Sequence, residues 1–79
     1  MRELVDYLVK QILDEDSYEI VMLEDDTSVE IKVFVDKAKV AKLIGKFGRI
    51  AKSIRTIVKA AAQNSDKHYD VFIEERKED

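Results

Sequence analysis

The sequence predicts a single α+β domain with the element order αββααβ, and three observations carry that reading. Apolar residues recur at helical spacing in three stretches and alternate at strand spacing in others. The only two glycines of the chain, Gly45 and Gly48, sit between the last two helical stretches. At 79 residues the chain is about half an ordinary domain, so one core is the ceiling and a multidomain enzyme is excluded.

In chain order, Leu4, Val5, Leu8, Val9, Ile12 and Leu13 form one stripe, which predicts a helix over residues 2–13. The acidic cluster Asp14, Glu15, Asp16 and Ser17 then favours a loop. Residues 18–24 and 29–35 are rich in β-branched and aromatic side chains. Asp25, Asp26, Thr27 and Ser28 between them have turn chemistry, so the pair predicts a hairpin. Val29, Ile31, Val33 and Val35 alternate with Glu30, Lys32 and Phe34, leaving one face of the second strand wholly apolar. Asp36 is placed to cap a helix over 37–44, in which Val40, Leu43 and Ile44 make an apolar edge, and Gly45 ends it where positive φ is usually needed. A longer helix follows over 49–63, closed by Asn64, Ser65 and Asp66. Tyr69, Val71 and Ile73 alternate with Asp70, Phe72 and Glu74 as a third strand over 69–74, and a charged tail follows. Val21, Leu23, Phe34 and Phe72 have the strand parity opposite to the helix-facing set. If all helices cover one face, these four form an apolar patch on the other, which hints at self-association or a partner.

Composition narrows the chemistry. With no Cys and one His, a disulfide frame, a thiolate site and a His-cluster metal centre are all excluded. His68 has no nucleophile or carboxylate at useful spacing, and Glu24, Asp25 and Asp26 lack the pattern and the glycine of a calcium loop. No phosphate-binding Gly-x-x-x-x-Gly-Lys-Ser/Thr run occurs. The expectation is therefore no enzyme activity, no cofactor and no small-molecule substrate. Apolar runs fall far short of the roughly 18 residues that cross a bilayer, and the first residues lack a signal-peptide core, so a cytoplasmic location without membrane contact is expected.

Charge is segregated. The net charge of −3 hides a stretch from Lys37 to Ser65 that holds Lys37, Lys39, Lys42, Lys46, Arg49, Lys52, Arg55 and Lys59 and no acid. The rest of the chain carries six basic against all 17 acidic residues. The basic half suits a polyanion, and the acidic half repels one. Lys46, Arg49 and Lys52 crowd the loop and first turn of the third helix, where the macrodipole disfavours cations by roughly 0.3 to 1 kcal/mol each. Fold stability alone would have placed acids there, so the local penalty points to an anion site made of free amides and side-chain cations. At 100° per residue from Arg49, the residues Ile50, Ile54, Ile57, Val58 and Ala61 fall between about 80° and 180°, and Lys52, Arg55, Lys59 and Arg49 between about 240° and 360°. Apolar and basic faces are thus opposed, and the basic stripe can follow several phosphates of one strand.

The tract Val40-Ala41-Lys42-Leu43-Ile44-Gly45-Lys46-Phe47-Gly48-Arg49-Ile50-Ala51-Lys52-Ser53-Ile54 resembles the hallmark of KH domains, an apolar-Ile-Gly-x-x-Gly-x-x-apolar helix-turn-helix. The element order resembles the type II, bacterial arrangement, and the length resembles the small single-domain KH proteins of the KhpA family. The resemblance implies a three-stranded mixed sheet with helices packed on one face, and single-stranded RNA bound across about four nucleotides. It implies that Gly45, Lys46, Phe47 and Gly48 clamp the backbone, with Arg49 and Lys52 adding phosphate contacts. Val40, Leu43 and Ile44, with Ile31 or Val33 from the strand beside them, would line an apolar groove under the bases. Phe47 departs from the two polar residues usual between the glycines; the expectation is either an exposed, stacking ring or one folded back on the helices. The family also implies a homodimer, or a heterodimer with a larger KH-containing RNA-binding protein, acting as RNA chaperone or post-transcriptional regulator. An interaction subunit with weak or vestigial RNA binding is the alternative.

Overall fold

The computed structural model describes residues 1–13 and 18–76. The acidic cluster expected as a loop at 14–17 and the end of the charged tail at 77–79 lie outside the described residues. Helix α1 (Arg2–Ile12) leads to the hairpin β1 (Tyr18–Glu24) and β2 (Ser28–Val35). Helix α2 (Lys37–Ile44), a single 3-10 turn (Lys46–Gly48), helix α3 (Arg49–Ala61) and strand β3 (His68–Glu75) follow. The class is α+β, in the order αββααβ.

The sheet runs β1-β2-β3, with β1 antiparallel and β3 parallel to β2. Central β2 therefore has strands on both sides, and its alternate residues Val29, Ile31, Val33 and Val35 are all buried. Helices cover that one face. Val5, Val9 and Leu13 from α1, Leu43 from α2, and Ile54 and Val58 from α3 complete the core with Ile20 and Val71. The parallel β2–β3 pairing has a consequence for everything below: chain must cross from one strand end back to the other, and α2, the turn and α3 make that crossover.

Several ends differ from the sequence reading. Helix α1 stops one residue early because Leu13 is already extended (φ −107°, ψ 121°), and α3 stops at Ala61, two residues early, where Ala62 leaves helical geometry. Strands β2 and β3 are longer than expected because Ser28 pairs with His68 and Val35 with Glu75, a ladder that only the pairing partner reveals. Asp36 occupies the cap position of α2, yet its carboxylate makes no capping bond. Its main-chain carbonyl accepts instead, from Lys39 N at 2.8 Å and Val40 N at 3.2 Å. On α3, Ile57 and Ala61 fall in the apolar arc but are exposed, while Ala51 at its margin is buried. Periodicity gives a direction on the helix; how far the neighbouring helix reaches decides burial.

Candidate nucleic-acid interface

Three positive-φ positions, Gly45, Phe47 and Gly48, turn the chain between α2 and α3. Gly45 (φ 75°, ψ 175°) lies in a region that is essentially glycine-only, and its amide closes α2 by donating to the Ala41 carbonyl at 2.9 Å. A Cβ there would stand 2.6 Å from Ile50 Cγ1, so the corner is packed tight from behind. Gly48 (φ 72°, ψ 14°) precedes α3 in the left-handed region, and nothing lies within 4 Å of where its Cβ would be. That side is open. Between them Phe47 is also left-handed (φ 59°, ψ 25°), a conformation that costs a bulky residue about 1 to 2 kcal/mol.

The strain holds Phe47 outward. Its ring is 84% exposed, with Lys46 Nζ 5.7 Å and Arg49 Cζ 5.9 Å from the centroid. No carbonyl of the described residues accepts from the amides of Lys46 or Phe47, so both stay available as donors at the positive end of the α3 dipole. Among the described residues, Lys46, Arg49 and Lys52 have no carboxylate partner. Amide donors, exposed cations and an exposed aromatic ring can hold a phosphate chain that carries planar bases.

The basic stripe is shorter than expected. Arg55 and Lys59 turn toward the protein: Arg55 Nε donates to the Val71 carbonyl at 3.0 Å, and Lys59 Nζ lies 3.8 Å from Asp70 Oδ1. Beside the corner, Ile44 is 38% exposed and Val40 half-buried, while Leu43 is fully buried and can only support a groove from beneath. Ile31 and Val33 are buried and offer no surface, against the expectation that one of them lines the groove. The cause is the sheet order: β2 is central, and the strand that α2 and α3 bring to the site is β3. Sequence reasoning gave the third strand and put Arg55 in the basic stripe, but it could not show that the two meet, because alternation marks a strand without saying which edge it occupies.

Among the described residues no group of three or more His, Cys, Asp or Glu side chains is arranged to hold a metal, and no helix is long and apolar enough to cross a membrane.

A mixed three-stranded sheet roofed on one face by helices, with a Gly-x-x-Gly corner joining α2 to α3, defines a KH domain in the αββααβ arrangement. The KH domain described for KhpA and KhpB matches residues 2–73 of this chain. Among curated proteins, the chain is 41% identical over 68 residues to the RNA-binding protein KhpA of Listeria monocytogenes, covering 85% of this chain and 90% of that protein. It is 42% identical over 75 residues to the RNA-binding protein KhpA of Clostridium perfringens (92% and 99% covered) and 33% over 72 residues to that of Borreliella burgdorferi (90% and 88%). The chain belongs to the KhpA/KhpB family of KH-domain proteins.

Proposed function

We propose that this chain is a non-catalytic, single-stranded RNA-binding protein that clamps the phosphate backbone with Gly45, Lys46, Phe47 and Gly48. The observation that carries the reading is the corner itself, where two free amides and an exposed, strained Phe47 stand between cations without carboxylate partners. The relatives' names as RNA-binding proteins support the same ligand. Arg49 and Lys52 extend the phosphate contacts along α3, and Ile44 with the exposed part of Val40 gives the bases an apolar rest. A single site of this size binds weakly, so a second copy, or a larger KH-containing RNA-binding chain, supplies avidity. In that setting the protein acts in the cytoplasm as an RNA chaperone or post-transcriptional regulator.

The test is the double variant Lys46→Asp/Phe47→Asp, titrated with single-stranded RNA. Affinity is expected to fall at least about tenfold with the fold intact, and the parent's log affinity should decline with log salt at a slope near −2 for about three phosphates. Unchanged affinity in the folded double variant sinks the reading. A second reading, an interaction subunit with residual RNA binding, is favoured by an apolar cleft between α1 and α3, lined by Leu8, Ile12, Ile50 and Ile57. Partner capture that survives nuclease treatment, together with no loss of RNA binding in the double variant, would favour it.

A further inference from the structure

Arg55 is held in a way that its neighbours in the basic stripe are not. It sits on α3 between Lys52, which has no carboxylate partner among the described residues, and Lys59, which leans on Asp70. Its Nε donates at 3.0 Å to the carbonyl of Val71, sixteen residues away, whose side chain is buried in the core. Strand β3 pairs with β2 alone, so its other edge carries main-chain groups without a ladder, and the Arg55 fork is fastened to that edge. One N–H of the five on a guanidinium is used; the two terminal nitrogens have no acceptor among the described residues.

This arrangement can present a fork to a base edge. A phosphate also matches a guanidinium fork, but Lys46, Arg49 and Lys52 already offer exposed cations to the backbone near the corner, and Arg55 stands apart from them by its bond to the strand edge. A guanidinium whose plane is fixed through Nε presents its two terminal N–H groups side by side, the geometry that matches the O6 and N7 acceptors of guanine. Arg55 lies about 10 Å along the α3 axis from Gly48, and its bond to the Val71 carbonyl puts the fork at the β3 edge. A single strand held by its phosphates at the corner would meet this fork if its bases turn toward the β3 edge.

We propose that Arg55 is a specificity-determining residue that selects a guanine next to the clamped backbone. The proposal rests on the RNA-binding reading above and adds a base preference to it. The experiment compares the full chain with Arg55→Lys and Arg55→Gln in binding to four uridine octamers, one unsubstituted and three carrying a central guanine, adenine or 7-deazaguanine. The parent is expected to favour guanine over adenine by about tenfold and to lose most of that preference with 7-deazaguanine, which lacks N7. Arg55→Lys, which keeps the charge and loses the fork, is expected to show no guanine preference. A thermal melt of each variant accompanies the titration. A parent without guanine preference, or a preference that survives in Arg55→Lys, overturns the proposal. So does a uniform loss across all four octamers with a lowered melting temperature, which marks a brace for the strand edge. If the parent binds none of the octamers, the RNA-binding reading has failed; if it binds all four equally, only the role of Arg55 has.

Discussion

At the corner, three neighbouring residues with positive φ face different demands, and substitution separates them. Gly45→Ala meets both a glycine-only backbone region and a 2.6 Å approach to Ile50, so a loss of about 2 to 5 kcal/mol is expected. Gly48→Ala meets the left-handed backbone alone and costs about 1 kcal/mol, because no atom lies near the added methyl. Phe47→Gly relieves its own strain, so stability is expected to hold or rise by up to about 1 kcal/mol while RNA affinity drops. Urea denaturation paired with RNA titration checks all three; a stability loss at Gly48 equal to that at Gly45 would contradict the assignment. Of this, the sequence discloses that glycine is scarce and concentrated at one turn. It does not disclose that Ile50 closes the inner side of Gly45, since that contact depends on how α3 leaves the turn. Nor does it say whether Phe47 faces out, because a ring three residues from Ile44 can equally pack on α2.

At the scale of elements, two joints are set by carboxylates. In the hairpin, Asp25 Oδ1 accepts from Thr27 N at 2.8 Å and Ser28 N at 2.7 Å, and these amides hold its pKa below the ordinary 3.8. Tyr18 at the start of β1 donates to Asp6 Oδ1 of α1 at 2.5 Å, and this bond, with Lys10 nearby, lowers the Asp6 pKa in the same direction. A carboxyl depressed in the folded state adds stability that is fully present above its unfolded pKa and disappears as pH falls through the lowered value. Stability from both joints is thus expected to be flat from neutrality to about pH 5 and to decline below pH 4. Asp25→Asn keeps an acceptor for the two amides without a titrating charge, so its acid limb should be shallower in denaturation measured from pH 7 to pH 2; an identical limb would show that the turn contributes nothing. Turn chemistry at 25–28 was readable from residue types alone. The Tyr18–Asp6 tie was not, since it links positions twelve apart through the way α1 lies on β1.

For the molecule as a whole, the charge asymmetry acquires a direction. The helical side carries the corner and its cations, and the open sheet face carries Glu19, Glu30, Asp70 and Glu74 around Lys32. The apolar patch expected on that face is present, with Leu23 50% and Phe72 38% exposed beside the half-buried Val21 and Phe34, but acids are interleaved with it. Two copies stacked open face to open face would bring Glu19, Glu30, Asp70 and Glu74 of each close together, with Lys32 and the Lys59 that leans on Asp70 as cations among the described residues, and like charges brought together oppose that stacking. Pairing of two copies is therefore expected to spare the sheet face: Phe72→Ser should leave the sedimentation mass unchanged, and a shift to smaller species would refute the electrostatic argument. Net charge gave no hint of this polarity. Its position along the chain did, because the acid-free stretch from 37 to 65 is the crossover between the two parallel strands.

That crossover also orders events in synthesis. A nascent chain that has reached Ala61 has made α1, α2 and α3, yet the flank of β2 that β3 will occupy is bare, and Val71 has not arrived to close the centre. Strand pairing across so long a separation in sequence is the slow step for small mixed domains. The domain thus becomes self-supporting only when residues 68–75 leave the ribosome, and until then the half-built sheet depends on whatever shields a nascent strand edge.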